Sequence, residues 1–233
     1  MTPPLARRAL AELVGTALLV LAVVGSGIAA EKLSPGDSGL QLLENAMATA
    51  AALVAIILAV GPVSGAHLNP VVTLAVRSLG GLSTGEAGAY VGAQLAGGAI
   101  GAVGANLMYS LPAVELSSTV RGGGGLWLSE VVATFGLLVV VFGVVRSGRA
   151  SIAAFAVGAY IGGAYFFTSS TSFANPAVTM ARSLTDTFSG IAWRSVPAFV
   201  VAQTAGAVVA VAVVRALYPT VRVPRPSLED LRV

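Results

Sequence analysis

The chain has 233 residues, of which 56% are hydrophobic and 10% charged, with a mean hydropathy of +0.87 and a formal net charge of +3. Soluble domains carry about 25% charged residues, so a soluble fold is excluded. There is no Cys and one His, His67; disulfides, thiolate metal sites and His-cluster metal centres are excluded, and no cofactor is expected. The pI of about 9.7 points, at this hydropathy, to membrane topology rather than nucleic-acid binding.

Spans are predicted near 9–30, 42–62, 87–109, 127–146, 151–168 and 195–217. Each is close to the roughly 20 apolar residues that cross a bilayer. No cleavage site follows the first, so an uncleaved N-terminus is expected. Residues 31–41 read as a loop. Residues 110–126, with Gly122 to Gly125, read as a flexible linker between halves. That glycine run lacks the strand, Lys and Ser/Thr of a phosphate loop. The tail from Pro219 reads as a short irregular end, with Arg222 and Arg225 at lipid headgroups.

The halves repeat. Glu12 and Thr16 in the first span match Glu130 and Thr134 in the fourth, and Gln94 matches Gln203. Between them lie Asn69-Pro70-Val71-Val72-Thr73 and Asn175-Pro176-Ala177-Val178-Thr179. Each half therefore holds three spans and one Asn-Pro element, in repeats of about residues 8–109 and 127–217. Three spans per half invert the second half in the membrane. With both termini in the cytoplasm, nine of the thirteen Lys and Arg residues lie inside. The expected location is therefore the cell (inner) membrane, with both ends cytoplasmic.

Pro70 and Pro176 suit the first position of a helix, with Asn69 and Asn175 as N-caps. From Asn69 to Arg77 a helix rises about 13 Å, under half of a ~30 Å hydrocarbon core. These are expected to be half-helices. The stretch before each would be extended backbone, tolerated at membrane depth only when buried or facing a water-filled cavity. Two positive half-helix ends then meet near the midplane, and the two Asn carboxamides face a shared lumen. The expected fold is an all-α membrane protein, six transmembrane helices plus two re-entrant half-helices, as one domain over 1–233.

These residues, with Ser64-Gly-Ala-His-Leu-Asn-Pro70 as the most specific stretch, resemble the major intrinsic protein family of aquaporins and aquaglyceroporins over about residues 8–217. The resemblance implies a passive pore in each protomer, a homotetramer, and small neutral solutes and the lipid bilayer as the partners. It also implies that Glu12 and Glu130 brace the loops carrying the Asn residues, and that His67 is structural, where a pH gate is the alternative. The packing faces Gly98/Gly101 and Gly158/Gly162 suit close helix contact.

The chain departs from the family at Val178, where water and glycerol channels carry Arg after the second Asn-Pro-Ala. Spacing carries over the rest of the outer filter as Thr49, Gly163 and Ser172. A filter of Thr49, Gly163, Ser172 and Val178 has no aromatic ring and no guanidinium. It is expected to be wide, and weaker against cations. Arg182 lies one turn beyond Val178. It either reaches the outer mouth or bonds outer-loop carbonyls or Asp186. The chain is most similar to a bacterial aquaglyceroporin subgroup associated with arsenic resistance, which implies passage of arsenite or methylated arsenicals beside glycerol and water. A general glycerol/urea facilitator is the alternative. A coupled transporter would need ionisable groups in the pore, and an enzyme would need a nucleophile–base set.

Overall fold

The computed structural model describes residues 2–218. The tail from Pro219, with Arg222 and Arg225, lies outside the described residues. All regular structure among them is helical. The first half holds α1 (Leu5–Leu33), α2 (Ser38–Ser64), α3 (Pro70–Ser78) and α4 (Thr84–Met108). The second holds α5 (Gly124–Arg146), α6 (Ala153–Phe167), α7 (Pro176–Ala181) and α8 (Val196–Leu217). Six helices are long and apolar enough to span a membrane. The other two, α3 of nine residues and α7 of six, are the expected half-helices.

Local chemistry sets the ends. Asp37 caps α2 by accepting from the Leu40 amide at 2.9 Å, so the first loop is only residues 34–37, not 31–41. Gly65 at φ +89° closes α2 in the left-handed region that favours glycine. Ser83 and Glu86 form a capping box at the start of α4. Glu86 also pairs with Arg8 at 2.5 Å, joining the starts of α1 and α4.

The two halves pack alike. α1 lies along α4 and α5 along α8, while α2 against α6 joins the halves. Close contact rests on glycine. A Cβ on Gly97 would sit 2.2 Å from the Leu13 carbonyl oxygen; on Gly206, its counterpart, 2.4 Å from that of Val131. Gly101 meets the Ala17 carbonyl on α1, Gly98 faces α7, and Gly158 and Gly162 face Ala50 and Val54 on α2. The small faces are thus contacts between helices of one chain.

The linker differs from the expectation. It is irregular but pinned: Glu115 and Ser117 donate main-chain bonds to Leu184 and Ser183, and Ala192 donates to Thr119. Asp186 accepts from the Ser118 amide at 2.9 Å. The glycine run also opens α5 instead of extending the linker.

Gly97→Ala should sharply reduce folded protein in size-exclusion profiles of membrane extracts, because it drives a Cβ into the α1 backbone. Gly92→Ala, with nothing within 4 Å of its Cβ, should match the wild type.

Candidate solute pathway

Each half-helix hangs from a loop with three left-handed residues at matched places. Gly65, Ala66 and Leu68 have φ of 89°, 47° and 51°, and Thr171, Ser172 and Ala174 have 62°, 52° and 47°. Such φ values are uncommon outside glycine, and they leave main-chain amides that no helix satisfies. A buried carboxylate satisfies them. Glu12 accepts from the His67 and Leu68 amides at 2.9 and 2.6 Å, from Ser64 Oγ at 2.7 Å and from Gln94 Nε2 at 2.8 Å. Glu130 accepts from the Phe173 and Ala174 amides at 2.9 Å each, from Ser170 Oγ at 2.6 Å and from Gln203 Nε2 at 2.6 Å. Gln94 and Gln203 each donate again, to Thr73 and Thr179.

The loops meet at the Asn residues. Asn69 Nδ2 donates to the Ala174 carbonyl at 2.7 Å, and Asn175 Nδ2 donates to the Leu68 carbonyl at 2.8 Å. Each Oδ1 caps its own half-helix, accepting from Val71 in one case and from Ala177 and Val178 in the other. One N–H of each carboxamide has no partner among the described residues, and both residues line a cavity of about 660 Å³. Val71 and Ala177 themselves are buried.

That cavity extends from Arg146 at the end of α5 to Arg182 beyond α7. Leu137, Val141, Val157 and Ile161 make one apolar flank; residues 65–69 and 172–175 contribute polar backbone. His67 lines the cavity too, with Nδ1 3.1 Å from Thr73 Oγ1 and its ring edge-on to Tyr90.

Three of the four expected filter residues, Thr49, Ser172 and Val178, line this cavity. Gly163 does not. It lies on the exposed stripe of α6 with Phe155, Ala159 and Phe166. Two residues turn a helix by about 200°, so Tyr165 occupies the inner face, following Val157 and Ile161. The Tyr165 hydroxyl donates to Thr49 Oγ1 at 3.3 Å. Phe173 lines the cavity as well. The aromatic-free wall is therefore corrected: the count back from Asn175 assumes a fixed loop length, whereas the apolar spacing 157, 161, 165 locates the inner face. Ser64 and Ser170, each five residues before its Asn, were also legible by spacing.

Arg182 does both things expected of it as alternatives. It lines the cavity, and its Nε donates to the Ser189 carbonyl in the outer loop. It does not pair with Asp186, whose carboxylate is engaged by Ser117 and Ser118. Arg121 from the linker bonds the Gly190 and Phe188 carbonyls. Burial lowers the Arg121 pKa from its ordinary value, and Glu130 opposes that shift.

The major intrinsic protein model matches residues 1–172 and 149–230. The chain belongs to this family. It is 49% identical over 218 residues to "Aquaglyceroporin AqpS" of Rhizobium meliloti, covering 94% of this chain and 93% of that protein. It is 31% identical over 240 residues to "Aquaporin AqpM" of Methanothermobacter marburgensis, covering 88% and 95%. The aquaglyceroporin structure from Plasmodium falciparum superposes with a TM-score of 0.71 at 23% identity, over 94% of this chain and 99% of that one; at that identity the likeness supports the fold alone. The chain is a multi-pass membrane channel of the aquaporin and aquaglyceroporin class, not an enzyme.

Glu130→Gln keeps the shape but sets an amide donor against amide donors. Each buried bond left unmade costs about 1–3 kcal/mol. The variant should melt several degrees lower in detergent and lose solute flux together, as thermal unfolding and vesicle swelling would read.

Proposed function

We propose that the cavity conducts small uncharged hydroxylated solutes down their gradient: glycerol and water, and with them arsenite and related metalloid hydroxides or methylated arsenicals. The observation that carries the metalloid reading is Val178, directly after Asn175-Pro176-Ala177. A branched apolar side chain there removes a fixed cation and five donors from that position. Neutral trivalent arsenic and antimony hydroxides approach glycerol in size and polarity and need no counter-charge. Thr49, Ser172 and Val178 are assigned to the outer filter, with Tyr165 in the place given to Gly163. The Asn69 and Asn175 carboxamides are assigned as donors to the passing solute. The name of the AqpS relative supports the glycerol part of this reading.

Glu12 and Glu130 are spent as braces, and among the described residues no carboxylate lines the cavity for proton coupling. The channel is assigned to the inner membrane as a homotetramer with cytoplasmic termini; the weight of Arg at the inner ends supports that orientation.

Proteoliposomes holding the protein should swell in glycerol and take up arsenite faster than empty vesicles, with no dependence on a proton gradient. Val178→Arg should slow both fluxes by at least about tenfold by narrowing the opening. Glycerol and urea flux without arsenite uptake would favour the general facilitator; flux driven by a proton gradient would contradict a passive channel.

A further inference from the structure

Arg182 is 3% exposed, yet it reaches the cavity. Its only side-chain hydrogen bond among the described residues runs from Nε to the Ser189 carbonyl. The centre of the guanidinium lies 3.5 Å from the centroid of the Phe173 ring, a cation–π distance. No carboxylate balances it: among the described residues the one ion pair is Arg8–Glu86. A second guanidinium, Arg121, lies 5.4 Å from the same ring. A buried charge without a partner is costly in a membrane protein, and loop pinning alone needs only the Nε bond. The two Nη groups are free for another acceptor.

Ser172, which adjoins Phe173 in the chain, also lines the cavity, but its Oγ is buried. The support behind Arg182 is firm. The Arg182 carbonyl accepts from Ile191, and Ser189 Oγ donates to the Val23 carbonyl on α1 at 3.0 Å.

We propose that Arg182, held by Phe173 and Ser189, supplies the guanidinium of the outer constriction from one turn beyond Val178, and so forms the first subsite met by a polyhydroxylated solute. The Nη groups donate to solute oxygens. The same fixed charge repels cations at the mouth. The weak cation barrier expected from Val178 alone is thereby offset. This subsite rests on the reading of the cavity as a pathway for neutral solutes.

The test separates the two readings. Wild type, Arg182→Leu, Arg182→Lys and Val178→Arg are reconstituted, and glycerol swelling and dye-reported proton leak are followed in the same vesicles. Swelling tests the functional reading; leak tests the placement of the charge. Arg182→Leu that elutes as folded protein should raise proton leak by about tenfold or more and alter glycerol flux, while Arg182→Lys restores most of the exclusion. Val178→Arg should slow glycerol yet leave the leak at its wild-type level, because a guanidinium already guards the mouth. Unchanged leak in folded Arg182→Leu would overturn the proposal. So would Val178→Arg lowering the leak about tenfold, a result that does not depend on any Arg182 variant folding.

Discussion

Backbone amides and carbonyls in the middle of a membrane have no water to bond. Every irregular residue there must find its partner inside the protein. Here that requirement is met by a closed set of contacts repeated twice: a carboxylate under each loop, a glutamine beside it, and an asparagine exchanged across the midplane. The exchange is the joint of the molecule. Asn69 holds the second loop and Asn175 holds the first, so neither half-helix is positioned by its own repeat alone.

The braces also decide what the pore can be. Each Glu accepts four hydrogen bonds from its own half. Two charges that would otherwise invite proton coupling are thereby taken out of the lumen. What remains along the cavity is one apolar flank, a band of loop backbone, two carboxamides and the His67 ring. The end proposed as the filter combines a branched aliphatic next to the half-helix, an aromatic on α6 and a guanidinium from beyond the turn.

Much of this was legible because it is periodic or repeated. The paired Asn-Pro elements, Glu12 with Glu130 and Gln94 with Gln203 stand at matched positions, and the structure brings each set together as the pattern implies. Helix ends were less legible. α1 runs to Leu33 because nothing before Ser34 breaks it, and α5 begins within the glycine run that reads as linker. Gly163 misled for a definite reason. Counting from an anchor across a loop loses the helical phase, and an error of two residues turns the side chain to the opposite face. The apolar spacing within α6 carried the phase that the count lost. The company of Arg182 was legible only in part: a bond to an outer-loop carbonyl was expected, whereas Phe173 and the linker meet it only in three dimensions.

The linker between the repeats has a role that its composition conceals. Residues 115–121 lie on the outer loop through main-chain bonds with Leu184, Ser183 and Ala192, and Arg121 holds two more carbonyls of that loop. The loop in turn carries Ser189 and so the anchor of Arg182. A segment that looks like spare tether is thus a strut of the channel mouth. Its main-chain bonds tie the seam between the two repeats to the entrance without involving any cavity-lining residue.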